Sequence, residues 1–321
     1  MAEPKVGVGS FIGIGEQTGY TTTVAASKYV PMISDGDSVK RDDATIEGGS
    51  LQYVGYVSTR YRKGKRDVKG NEAVEVSYEG TELLWKHLFG SVATSQPNPG
   101  GQPTVYDHLF TLADTLPVGL TLEINRGGTS FFVQGAKVSQ AEISLGVDEL
   151  MKLDLSFIGR DLDTNTASSP SYTTTGTFAS PDVTLQWNGV QQDVRQFNVS
   201  INHGLDGDRY FIGSKLRKQP VRGDRLEVTG SFDTEFQDAT IFTDFKNATQ
   251  RQLIISAVGD QIGATGYYYS WTMTIPIALL GDATPTVSGG GRILFSPSFK
   301  AYRTSSANEL QLFIRNTVTS V

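Results

Sequence analysis

Two stretches of this chain read alike, and their likeness limits the folds open to it. Lys69-Gly70-Asn71-Glu72-Ala73-Val74-Glu75-Val76-Ser77 and Arg222-Gly223-Asp224-Arg225-Leu226-Glu227-Val228-Thr229 both run basic-Gly-Asn/Asp, then apolar-Glu-Val-Ser/Thr, once one gap is allowed. Each alternates apolar and polar residues, the period of a half-buried strand. Each also precedes the one helix expected in its half. In the first half Leu84, Trp85, Leu88 and Phe89 fall at helical spacing over 81–89, and Gly90 supplies a C-terminal stop. In the second, Ile241, Phe242 and Phe245 do so over 238–245. Three strands are predicted after each helix: 120–125, 131–145 and 149–158, then 252–257, 267–279 and 292–302. The reading is a duplicated β domain.

Composition agrees. Charged residues are 19% of the 321, below the usual quarter, and there are 35 glycines. Short strands and turns suit that mixture better than long surface helices. The fold class expected is all-β, with one short helix per domain. The domains are placed at 31–165, with a Gly-rich and basic excursion over 48–66, and at 182–321. The polar tract 166–181 links them, and the glycine-spaced residues 1–30 read as an extended N-terminal arm.

Several function classes lose support. A formal charge of −6 gives no general attraction to nucleic acid or anionic lipid. Without cysteine there is no disulfide, thiolate metal ligand or thiol nucleophile. No signal peptide is expected at Met1-Ala2-Glu3-Pro4-Lys5, and no run nears the roughly 18 apolar residues of a membrane helix. The histidines, His87, His108 and His203, stand alone in sequence. Gly13-Ile14-Gly15-Glu16-Gln17-Thr18-Gly19 lacks the spacing of a phosphate loop. Asp35-Gly36-Asp37 and Asp161-Leu162-Asp163 read as turn-forming aspartates, since neither completes a calcium loop. The expectation is a protein that is no enzyme and carries no cofactor or metal.

The stretch Gly13-Ile14-Gly15-Glu16-Gln17-Thr18-Gly19-Tyr20-Thr21-Thr22-Thr23-Val24-Ala25-Ala26, leading into Tyr29-Val30-Pro31, resembles the N-terminal arm of tail tube proteins of long-tailed (siphovirus-type) bacteriophages. That family's arm has glycine after the tyrosine, where this chain has Thr21. The strand-helix unit 74–90 and Val228-Thr229-Gly230-Ser231-Phe232-Asp233-Thr234-Glu235-Phe236-Gln237-Asp238 also resemble the family. The resemblance implies a duplicated β-sandwich or half-barrel whose strands join an inter-subunit β-barrel. Three subunits would give a pseudo-sixfold ring, and stacked rings a conduit for DNA from capsid to host. Its partners would be itself, the tape measure, terminator and distal tail proteins, and DNA in transit, but no membrane. It would reside in the virion tail after assembly in the host cytoplasm.

In that setting Glu75, Ser77, Glu79, Glu227, Thr229, Ser231 and Asp233 are candidates to face the lumen, where an acidic or neutral wall would repel phosphate. Phe11, Ile12, Ile14 and Tyr20 of the arm, with Arg60, Arg62, Lys63, Lys65 and Arg66 of the excursion, are candidates for contacts between subunits or rings. Two other readings stay open. One is another ring-forming tail protein, distal or tail-completing. The other is a monomeric β-sandwich that binds carbohydrate, for which Tyr267, Tyr268 and Tyr269 would be the aromatic residues.

Overall fold

The structure, a computed structural model, describes residues 5–34, 36–48, 60–173, 175–287, 290–303 and 310–321. The protein is mainly β, with antiparallel sheets, two short helices and, among the described residues, no closed barrel. The first half holds β1 (Phe11–Glu16), β2 (Lys28–Pro31), β3 (Lys40–Glu47), β4 (Tyr61–Glu75), α1 (Glu82–Phe89), β5 (Gly90–Ser95), β6 (Tyr106–Leu112), β7 (Leu120–Arg126), β8 (Thr129–Gly146), β9 (Lys152–Gly159) and β10 (Asp161–Asn165). The second holds β11 (Val183–Trp187), β12 (Val190–Gln192), β13 (Val194–Asn202), β14 (Leu205–Asp206), β15 (Val221–Arg222), β16 (Glu227–Glu235), α2 (Thr240–Lys246), β17 (Arg251–Gln261), β18 (Tyr268–Asp282), β19 (Leu294–Phe295), β20 (Ser298–Ala301) and β21 (Gln311–Asn316).

The strand pairings of the first half recur in the second. β1 pairs with β2 and β7 as β11 does with β12 and β17. β8 pairs with β7, β9 and β10 as β18 does with β17, β20 and β21. β4 lies between β3 and β9 as β16 lies between β13 and β20. The long strands β8 and β18 each serve two layers: the first part of each joins an outer sheet and the last part an inner one. Between the halves, β8 pairs antiparallel with β13, from Gln140 opposite Asn202 to Gly146 opposite Gln196. The inner layer is therefore one sheet, β3-β4-β9-β8-β13-β16-β20-β18.

Period-2 alternation builds this layer. Val74, Leu153, Ile143, Val199 and Phe299 lie on its buried face, with Leu155, Ala141, Ile201 and Val228 one pleat away. Burial of these side chains, each worth about 1.5–3 kcal/mol for the larger ones, fixes the register, because a one-residue slip would turn them all to the polar side. α1 is buried on nearly every face, and Trp85 meets Trp271 of β18 at 5.9 Å between ring centroids. It stops at Gly90, whose φ of 98° favours glycine.

The N-terminal segment departs from expectation. It is a packed strand, with Phe11, Ile12 and Ile14 buried. Its glycines are there for close packing: a Cβ on Gly13 would stand 2.8 Å from the Ala26 Cβ, and one on Gly15 2.6 Å from the Ala25 carbonyl oxygen. β10 runs over 161–165, ending just before the tract assigned to a linker, and the hairpin strands β5 and β6 follow α1, where no strand was expected before 120. The strand expected over 292–302 is split into β19 and β20. The two look-alike stretches also differ in detail: Gly70 lies within β4 against the backbone of Val39, whereas Gly223 lies beyond β15 in a turn.

Candidate functional site

The side chains opposite the buried face form polar rows across the inner sheet. One runs Glu75, Lys152, Ser144, Asn198, Ser231, Ser298. The next runs Ala73, Asp154, Glu142, Ser200, Thr229, Lys300. A third runs Asn71, Ser156, Gln140, Asn202, Glu227. Five of the seven lumen candidates, Glu75, Glu227, Thr229, Ser231 and Asp233, therefore share one face of one sheet. Sequence reasoning missed the contributions of β8, β9 and β13, although Asp154 and Ser156 stood on the polar side of the clearest alternating stretch.

Ser77 and Glu79 lie elsewhere. β4 ends at Glu75, and the chain turns towards α1. The Ser77 hydroxyl donates to the Glu79 carbonyl at 2.6 Å. The Glu79 carboxylate accepts from the Thr317 hydroxyl at 2.5 Å and its backbone N–H at 3.2 Å, which ties it to the C-terminal segment.

Electrostatically the polar face is weakly acidic. Glu75, Glu142, Asp154, Glu227, Asp233, Asp42 and Asp67 stand against Lys40, Lys69, Lys152 and Lys300. Lys300 is paired with Glu227. Partial burial, with the Glu142 charge beside it, pushes the Asp154 carboxyl above the usual carboxylate range. Uncharged Ser, Thr, Asn and Gln fill the remaining positions. Such a surface offers a phosphate backbone neither a cation row nor an aromatic platform.

The contact candidates divide. Phe11, Ile12 and Ile14 are spent on the chain's own core, so their side chains are closed to a neighbour in this conformation. Apolar residues next to glycine looked like a free arm, but the strand they form sits between β2 and β7. Tyr20 packs over Gly135 at the bend of β8, and burial pushes its hydroxyl up to about 12. Arg60, Arg62 and Lys63 are exposed. Lys65 meets Asp208 at 2.9 Å, and Arg66 meets Asp161 at 2.8 Å. The rest of the excursion, 49–59 with Tyr53 and Tyr56, lies outside the described residues, as does Asp35.

The Asp208 contact comes from a segment the sequence did not flag. Residues 207–220, between β14 and β15, fold back from the second half onto the first. Tyr210 donates its hydroxyl to the Arg66 carbonyl, and Arg217 is paired with Asp67. The available signal was the crowding of basic and aromatic residues, Arg209, Tyr210, Phe211, Lys215, Arg217 and Lys218, into one stretch.

Two of the aspartates singled out in the sequence, Asp37 and Asp161, are engaged within the fold. Asp161 holds Arg66, and Asp37 accepts two hydrogen bonds from Arg126. His108 is buried between Thr94 and Asn316. Tyr269 stacks on Tyr78 at 4.7 Å, and Tyr267 lies beneath Arg315, so the three tyrosines form no common platform. Among the described residues no group of three His, Cys, Asp or Glu could hold a metal ion, and no helix is long and apolar enough to cross a membrane.

No curated protein sequence matches the chain. The family model described as phage tail tube protein matches residues 7–301. Such proteins are structural parts of the virion tail and assemble with themselves and other tail proteins into its tube. With nearly its whole length matched, and with an all-β fold, the chain belongs to the phage tail tube protein family.

Proposed function

We propose that this chain is the major tube subunit of a siphovirus-type tail. Three copies close a pseudo-sixfold ring, and the polar face of the inner sheet lines the path of DNA from capsid to host. The observation that carries this reading is the β8–β13 joint. It fuses two halves with the same pairing pattern into one sheet, and it leaves β3 at one end of that sheet and the last part of β18 at the other. Among the described residues, no strand pairs with the outer edge of β3, nor with Leu279–Asp282 of β18 on the side away from β20. β8 and β18 are counterparts, as are β13 and β3. Hence β18 of one copy would meet β3 of the next as β8 meets β13 within the chain. Closure removes both open edges, which otherwise invite uncontrolled association.

The two halves act as separate domains in this account, joined through 166–181. A weakly acidic lumen lets the duplex slide without binding. Tape measure, terminator and distal tail proteins would meet the tube's interior and ends, and assembly would take place in the host cytoplasm. Electron microscopy of the purified, concentrated protein tests the reading. Rings of three chains around an open bore lined by the Glu75 and Ser231 row are expected. A compact monomer at every concentration, or a bore walled by lysine and arginine, would contradict it.

A further inference from the structure

The inner sheet has two different ends. At one, β13 leaves the sheet at Asn202 and returns as β16 at Glu227, and residues 207–220 make the excursion between them. The tip of that excursion is apolar and bare: Phe211 is 53% exposed and Ile212 wholly so. Cations surround it. Lys218 lies 4.7 Å over the Phe211 ring, and Lys215 is exposed beside it. Tyr210 and Arg217 tie the excursion to Arg66 and Asp67 of β4, so the loop presents its tip from a fixed base.

At the other end, where β8 finishes and β13 begins, a groove of about 430 Å³ opens between the inner sheet and β11–β12. Val183, Val194 and Phe197 contribute its apolar lining, and Val147 stands 59% exposed at its lip. Asp193 and Glu235 border it, Glu235 carrying the exposed Arg292 as its partner; Arg195 is the one cation in the lining, and Asp148 and Glu149 continue the acidic lip through the β8–β9 turn.

We propose that the Phe211–Ile212 tip of each copy seats in the Val147–Phe197 groove of a copy in the adjoining ring, with Lys215 and Lys218 meeting Asp193 and Glu235. Shape and charge match: an apolar knob with a cationic collar faces an apolar groove with an acidic rim. A chain cannot fill its own groove, because the nine residues of β13 hold the two ends roughly 30 Å apart at about 3.3 Å per residue. Nor can two copies satisfy each other face to face. A head-to-tail contact of unlike surfaces propagates as an open filament unless rotation closes it. Each three-chain ring presents three knobs on one side and three grooves on the other, so stacking is polar and unlimited. The proposal rests on the ring reading above and adds what joins ring to ring.

The test combines Phe211→Ser and Ile212→Ser in the full-length protein. Both positions are exposed, so the melting temperature should be unchanged. Rings are expected to persist in electron micrographs while sedimentable tube falls at least tenfold. Lys218→Glu should also weaken stacking, and adding Asp193→Lys to it should restore tubes. Tubes of wild-type length and yield from the double serine variant would overturn the proposal and leave the groove to another tail component. Failure of Asp193→Lys to rescue Lys218→Glu would overturn the charge pairing. Absence of rings from the wild-type protein would instead overturn the reading of the function.

Discussion

Glu72 is the residue whose state most directly couples this fold to pH. It sits within β4, 1% exposed, opposite Asp37, and neither carboxylate oxygen has a hydrogen-bond donor directed at it. Burial, and then the Asp37 charge, push its carboxyl up to about 9, while Arg126 is engaged by Asp37. The folded state therefore keeps a proton that the unfolded chain loses above the ordinary value of 4.5. Between pH 4.5 and about 9 the folded state binds more protons, so this residue's contribution to stability falls as pH rises. Glu72→Gln keeps the shape and removes the titration. It should stabilise the protein at pH 8 by about 1–3 kcal/mol, the scale of an unsatisfied buried polar group, and change little near pH 4. Melting temperatures across that range check this, and an equal shift at both ends would contradict it.

At the scale of elements, the layer depends on strand contacts too close for a side chain. A Cβ on Gly230 in β16 would lie 2.3 Å from the Asn198 carbonyl oxygen and 2.6 Å from the Phe299 ring. Gly230→Ala must push apart β13 and β20, so a loss of about 1–3 kcal/mol is expected. Denaturant unfolding measures it, and an unchanged midpoint would mean that the sheet relaxes freely there. Glycines of this kind also explain what the sequence hid. Strands with clean alternation were legible: Met151, Leu153, Leu155 and Phe157 announced β9, and Trp85, Leu88 and Gly90 announced α1 and its end. β1 was not legible, because glycine at 13 and 15 looks the same in a flexible arm and in a strand pressed against Ala25 and Ala26. β5 was missed because it is mostly exposed and lacks an apolar period, and β21 because its pairing is non-local: it lines up with β6 some two hundred residues away, Ile314 opposite His108. The polar face of β4 and β16 was readable, yet the rows crossing β9, β8 and β13 depend on register, which periodicity leaves open. The 207–220 excursion carried no periodic signal.

Across the whole molecule, the account turns on one repeated joint. A chain with two like-paired halves makes the contact once within itself, between β8 and β13, and offers the unmatched remainder at β3 and β18. The β-bulges fix the correspondence: β8 is irregular between Val138 and Gln140 where it pairs with β9, as β18 is between Leu280 and Asp282 where it pairs with β20. The matching rows therefore run Asn71–Ser156–Gln140 and Ser231–Ser298–Asp282. Gln140 faces Asn202, the partner of Glu227, in the internal joint, and Asp42 is the matching partner of Asp67 in β4, so Asp282 is due to face Asp42 of the next copy, with Lys40 as a same-face neighbour. A sheet continued in this way around three chains has no free edge. It also explains why the polar face extends unbroken from β4 to β20, since a bore needs one wall.

The protein has no cysteine, so an introduced pair provides its only thiols. The measurement is oxidative crosslinking of assembled Asp42→Cys/Asp282→Cys protein, with each single variant beside it, read on a non-reducing gel. Covalent dimers and trimers from the double variant alone, at concentrations where rings form, are the predicted result. Exclusively monomeric bands from rings visible in the same sample, with Lys40→Cys in place of Asp42→Cys faring no better, would contradict the account.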